Sequence, residues 1–259
     1  MNISATVTVR DLAAGIPGAT RVFENFGIDY CCGGRRTLAD ACQEAGLPVE
    51  DLTRALEEAV RAPQPGAERN WGQKSLTSLT EYIVETHHYF TRQELDCLGK
   101  LFDKVCSRHG ENHPELFEAQ KTFYQLKQDL IPHMLKEEQV LFPYITRMED
   151  PAREGRAIPP PFFGTVRNPV RMMMTEHDTA GDLLKQLRGV TKGYTTPPDG
   201  CISFQTLYQT MAALEVDLHQ HIHLENNILF PCAVEMEENS APDFYKSAGE
   251  FDGHHCFGH

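Results

Sequence analysis

The chain has 259 residues, eight cysteines and a formal net charge of −13. That acidic balance opposes binding to nucleic acid or to an anionic membrane surface, both of which need a basic face. No run of about 18 apolar residues is present, which excludes a spanning helix. The cysteines are too sparse for a disulfide scaffold, and no basic and apolar leader precedes Ala5, so the chain reads as cytoplasmic.

Residues 1–62 read as a small helical domain. Thr8 caps a first helix, with Asp11 in its opening turn, and Gly15 and Pro17 end it. A second helix runs from Ala19 to Phe26 and stops at Gly27. The loop Asp29-Tyr30-Cys31-Cys32-Gly33-Gly34 follows. Thr37 caps a third helix that stops near Gly46, and a fourth runs from Val49 to Arg61. Residues 63–74 form a linker by composition. The stretch 75–236 then holds four long helices with no strand signal between them. They run from about Leu76 to Cys106, from Pro114 to Met148, from an Asn168 N-cap and Pro169 to Gly189, and from Ser203 to Met236. Pro132 should kink the second of these, and Pro151 to Arg167 reads as a loop. The expected fold is all-α: a small N-terminal helical domain and an up-down-up-down four-helix bundle. Residues 237–259 show no periodicity and read as a loose tail, in spite of the three histidines and Cys256 near its end.

One phrase occurs twice in the bundle. The second long helix carries His133-Met-Leu-Lys-Glu137-Glu-Gln-Val-Leu-Phe142-Pro143. The fourth carries His221-Ile-His-Leu-Glu225-Asn-Asn-Ile-Leu-Phe230-Pro231. Residues i and i+4 share one helix face about 6 Å apart, so an imidazole and a carboxylate are aimed at one region in each copy. Both pairs replace apolar residues within apolar stripes: Leu126, Leu130, Leu141 and Tyr144 around the first, Leu214, Leu218, Ile228 and Cys232 around the second. Burying these groups without partners costs several kcal/mol each, and a metal ion is the economical compensation. His177 lies on the stripe of Val170, Met173, Ala180 and Leu184 in the third helix.

The first helix offers two adjacent histidines. The stripe through Leu76, Leu79 and Ile83 points to His87, and the one through Leu95, Leu98 and Phe102 points to His88, so periodicity alone does not choose. Repeat spacing favours His88: 44 residues separate His177 from His221, 45 separate His88 from His133, and 46 separate His87 from His133. Each half of the bundle is then a helix with one His followed by a helix with His-x-x-x-Glu. The metal ligands are read as His88, His133, Glu137, His177, His221 and Glu225. Four imidazoles and two carboxylates divide into two metals with two His each, bridged by both Glu, which suits iron or manganese. His109, His113, His219 and His223 fall off the stripes and read as surface or ligand-supporting residues. Glu176 reads as part of a solvated face.

At these positions the sequence resembles a hemerythrin-like di-iron domain, with four histidines where oxygen-carrying hemerythrins have five. Together with Asp29-Tyr30-Cys31-Cys32-Gly33-Gly34 it resembles the RIC family (YtfE/ScdA/DnrN type), which repairs iron–sulfur clusters; the likeness covers residues 8 to 235 and places the first-helix ligand at His88. The resemblance implies two non-haem iron ions in a carboxylate-bridged centre with an oxo or hydroxo bridge. It implies damaged or apo iron–sulfur proteins as partners, together with NO and O2, and the reading admits a homodimer.

Cys31 and Cys32 sit in a Gly-Gly loop, before Arg35, Arg36 and the helix that starts after Thr37. Nearby cations and a helix N-terminus lower a thiol pKa, so the pair is expected as reactive thiolates. By resemblance they are functional residues that receive or relay iron, or dock the client. Two rival readings remain open: an NO reductase forming nitrous oxide at the di-iron centre, and an oxygen or NO sensor or store.

Overall fold

The computed structural model describes residues 3–16, 18–61, 71 and 74–240. Most of the linker at 63–74, and the tail beyond Ser240 with its histidines, lie outside the described residues. Among those described, the regular elements are helices. They are α1 (Val9–Gly15), α2 (Ala19–Phe26), α3 (Leu38–Ala45), α4 (Val49–Arg61), α5 (Leu76–Tyr82), α6 (Tyr89–His109), α7 (Glu115–Lys136), α8 (Phe142–Arg153), α9 (Arg167–Val190), α10 (Ile202–Leu224) and α11 (Phe230–Asn239). Three short π-helical segments join them: π1 (Ile83–His88), π2 (Glu137–Leu141) and π3 (Glu225–Leu229).

The chain divides into two compact units. One comprises residues 1–79, 148–159 and 219–259, and the other residues 80–147 and 160–218. The boundary at residues 218 and 219 falls inside α10.

In the first unit, α1 to α4 close over a core that includes Val9, Leu12, Phe23, Leu38, Leu52 and Leu56. The expected caps are in place. Thr8 accepts the Asp11 N–H and Thr37 accepts the Asp40 N–H. Gly27 and Gly46 end their helices at φ of +66° and +67°, where a side chain would be strained. Backbone bonds Val9 N–H to Arg36 O and Leu38 N–H to Val7 O tie the starts of α1 and α3 together. The carboxylate of Glu149 accepts the N–H groups of Leu76 and Thr77 at 2.6 and 3.1 Å and so caps α5.

The second unit is the bundle. Leu95, Leu98 and Phe102 of α6 pack with Phe123, Leu126 and Leu130 of α7, Leu183, Leu184 and Leu187 of α9, and Phe204, Leu207 and Leu214 of α10. Truncating a fully buried leucine such as Leu126 to alanine costs about 2–5 kcal/mol.

α7 passes through Pro132, as the apolar spacing on both sides implied. Two sequence expectations shift. α8 continues to Arg153 with Pro151 inside it, where a loop was expected. α9 begins at Arg167, so Asn168 is not its cap; the Asn168 side chain donates to the Phe163 carbonyl instead.

Candidate metal centre

In the bundle unit, His88, His133, Glu137 and His177 are buried, none more than 2% exposed. Nε2 of His88 and Nε2 of His133 approach the same oxygen, Oε2 of Glu137, at 3.4 and 3.3 Å. His177 Nε2 lies 3.0 Å from His133 Nε2.

The far side of two of these rings fixes which nitrogen carries the proton. His88 Nδ1 is 2.7 Å from Glu138 Oε1, which Arg92 also holds at 2.8 Å. His133 Nδ1 is 2.8 Å from Glu176 Oε2, and Lys136 pairs with the other oxygen. The bond to His133, followed by that to Lys136, pulls the Glu176 carboxyl down to about 2, and the bond to His88 lowers that of Glu138. Both carboxylates are therefore ionised acceptors. Each Nδ1–H donates to its carboxylate, which leaves the Nε2 lone pairs of His88 and His133 turned towards Glu137. Neutral imidazole lone pairs and a carboxylate facing one another at such distances repel unless a cation, a proton or a metal ion, lies among them. A carboxylate behind the imidazole is also the usual support of a metal-ligating histidine. Glu176, expected on a solvated face, is such a support.

In the first unit, His221 and Glu225 repeat the motif. Both are buried, and His221 Nε2 is 3.0 Å from Glu225 Oε1. Each of the six residues belongs to a grouping of buried His and Glu side chains that could hold a metal ion. These groups fit a metal centre.

Sequence reasoning missed the π segments. Phe142 N–H bonds back five residues to Glu137 O, and Phe230 N–H bonds back five to Glu225 O. The next residue in each case is a proline, Pro143 or Pro231. Proline has no N–H for the ordinary helical bond, and its ring crowds the carbonyl four residues back, so the wider turn relieves both. The phrase Glu-x-x-x-x-Phe-Pro was the available signal. In π1, Tyr89 N–H reaches Val84 O in the same way. An inserted residue turns the helix phase by about 100°, so the stripe before π1 and the stripe after it cannot agree. Both His87 and His88 are buried in consequence. His88 approaches Glu137, whereas His87 Nδ1 pairs with Asp217 at 3.0 Å and packs edge-on against Tyr82.

The cysteine loop is built on Asp29. Its Oδ1 accepts the N–H groups of Cys32 and Gly33, each at 3.0 Å, and the Cys31 thiol at 3.5 Å. Asp29, Cys31 and Cys32 bring their ligand atoms within 4.8 Å of one another. The expected Cys31 thiolate is not what this geometry favours. Its hydrogen bond to Cys32, its burial and the charge of Asp29 push the thiol pKa well up. The cation expected to lower it is turned elsewhere, because Arg36 pairs with Glu44 and Asp29.

The loop rests on residues of α10 and π3. Asn226 Nδ2 donates to Cys31 O at 3.3 Å, and Asn227 Nδ2 donates to Tyr30 O at 3.0 Å. A Cβ at Gly34 would come 2.8 Å from Tyr30 O and 3.3 Å from Asn227 Oδ1, so only glycine allows this approach. His219 pairs with Glu24 at 2.7 Å, and Glu24 also accepts the Tyr30 hydroxyl. His223 is 2% exposed rather than a surface residue. It packs edge-on to Tyr30, and burial takes its pKa down to about 4. His109 and His113 face other groups: His109 meets Cys201, and His113 pairs with Glu115 and Asp199.

Comparison with known proteins agrees with this arrangement. The family model described as a domain of unknown function, ScdA_N, matches residues 5–60, and the one described as the hemerythrin HHE cation binding domain matches residues 78–233. The iron–sulfur cluster repair protein YtfE of Musicola paradisiaca is 36% identical over 88% of this chain and 96% of the relative. A YtfE of Citrobacter koseri is 33% identical over 86% and 94%. A probable iron–sulfur cluster repair protein of Haemophilus influenzae is 32% identical over 85% and 93%. The chain belongs to the family of hemerythrin-type proteins whose curated members carry these names.

Proposed function

We propose that His88, His133, Glu137, His177, His221 and Glu225 hold two non-haem iron ions in one centre, and that the chain uses it to restore damaged iron–sulfur clusters, as the names of its relatives imply. The observation that carries the reading is the pair of tautomer-fixed imidazoles sharing one oxygen of Glu137. The matching His221 and Glu225 pair supports a second half of the same kind. Glu137 and Glu225 are assigned as the bridging carboxylates, which reduce the repulsion between two cations.

When bound, the irons supply exchangeable metal and positions open to NO and O2. Glu138 and Glu176 keep the Nδ1 protons of His88 and His133 in place, so that Nε2 stays available as a ligand. Cys31 and Cys32 are assigned to receiving iron or docking the client protein. Cys31 is held as a thiol, so its proton must leave when it takes a cation, and Asp29 Oδ1 is the acceptor at hand.

The test uses one iron-loaded sample and two readouts. The first is reactivation of a cluster enzyme stripped of its cluster. The second is the nitrous oxide yield when NO is added under reductant. Reactivation with stoichiometric iron loss and no gas supports repair by iron supply. Gas formation without iron transfer overturns it in favour of an NO reductase.

A further inference from the structure

π2 and π3 share the phrase Glu-x-x-x-Leu-Phe-Pro and differ in the residues just after the glutamate. In π2 the next residue, Glu138, supports the His88 ring. In π3 the next two residues, Asn226 and Asn227, reach instead to two successive carbonyls of the cysteine loop, Cys31 O and Tyr30 O. Both asparagines come directly after Glu225, whose own carbonyl closes the π turn with Phe230. Glu225, Asn226 and Asn227 are thus consecutive residues of one turn, so a backbone shift that moves the carboxylate also moves the two amides. Asn227 Nδ2 also lies 3.0 Å from His223 Nδ1, which holds that amide from the helix side. The contact is close, since a Cβ at Gly34 would come 3.3 Å from Asn227 Oδ1.

We propose that Asn226 and Asn227 are positioning residues that couple metal occupancy at His221 and Glu225 to the seating of the Cys31–Cys32 loop. The coupling rests on the assignment of His221 and Glu225 as metal ligands. A cation fixes Glu225, the fixed π turn aligns the two amides, and the amides hold the loop down. With the metal gone, Glu225 is released, the turn loosens and the thiols become accessible. Coupling is reciprocal, so unseating the loop weakens iron retention by the same factor.

The test tracks alkylation of Cys31 and Cys32 by iodoacetamide in the full chain, read by peptide mass spectrometry, with iron per chain measured on the same samples. Cys106, buried in the bundle unit, serves as the internal reference. In the iron-loaded wild type, Cys31 should label slowly; removing iron with a chelator should raise its rate by about fivefold or more while Cys106 stays protected. The iron-loaded N226A/N227A variant should label Cys31 at the fast rate, and chelation should no longer change it. In chelator competition the same variant should lose iron affinity by the factor that metal removal produced in wild-type labelling. Equal Cys31 rates in loaded and stripped wild type overturn the coupling, as does wild-type protection in loaded N226A/N227A. If the stripped protein exposes Cys106 as well, the loaded pair decides: faster Cys31 labelling in the variant supports the proposal and equal labelling overturns it. A chain that takes up no iron fails the metal assignment itself, whereas one that loads iron but labels alike in both states fails the coupling alone.

Discussion

The turns after His133 and His221 start from one pattern and serve different neighbours. After His133, both carboxylates at the start of the turn face buried histidines: Glu137 meets two imidazoles and Glu138 pairs with the far side of one of them. After His221, only Glu225 does so, while Asn226 and Asn227 hold the backbone beneath two cysteines. The two turns share their carboxylate and their Leu-Phe-Pro ending and differ at the three positions between them, two of which are asparagines in the second. The same local fold supports a buried histidine in one copy and the cysteine loop in the other.

The comparison breaks most visibly at the shared glutamates. Glu137→Ala and Glu225→Ala should each remove most bound iron in a colorimetric assay of purified protein, because each is assigned to bridge both ions. Retention of full iron by either variant would mean that the two turns are not equivalent. Next comes the pair in π1. His88→Leu should empty the site, whereas His87→Leu should keep its iron and lose only stability, since His87 meets Asp217 and Tyr82. Loss of iron in the second variant alone would reverse the assignment.

A pH effect in the range between about 6.5 and 4 is expected beside the second turn. His223 has a folded pKa of about 4, below its unfolded value, so the unfolded chain binds more protons between about 6.5 and 4. Stability should therefore be complete above about pH 6.5 and fall as the pH drops towards 4, by roughly 3 kcal/mol for this one residue. Urea unfolding at the two ends of that range should show the loss in wild type and a smaller one in His223→Phe. A smaller effect separates the residues next to the glutamates. Glu138→Gln should weaken iron binding about 10- to 100-fold, as removing a ligand support does, whereas Asn226→Ala alone should change it by only a few-fold. Finally, replacing Cys31 and Cys32 by serine should leave iron content intact and abolish reactivation of a stripped cluster enzyme.

Much of this was legible from local chemistry. Thr8, Thr37, Gly27 and Gly46 mark helix ends because each acts on groups within a few residues of itself. The six residues proposed as ligands stood out because polar groups in apolar stripes, repeated at one spacing, need a common cause. What escaped depends on partners far along the chain or on a change of helical register. His223 looks solvent-facing by the periodicity of its own helix, yet Tyr30 covers it. The Cys31 thiol was misjudged because its hydrogen bond to Cys32, its burial and the charge of Asp29 raise its pKa, and the run of residues shows neither the bond nor the burial. The choice between His87 and His88 could not be made from a constant period, because π1 changes that period between the two stripes.

The central claim is that the two turns serve a single centre of two irons. The most direct measurement is the iron-to-chain ratio of the anaerobically loaded full-length protein, monitored through a chelator titration and compared with Glu225→Ala. The account predicts two irons per chain released together in the wild type, and loss of both in the variant. One iron per chain, or two irons of which Glu225→Ala removes only one and leaves the other at wild-type affinity, would contradict it.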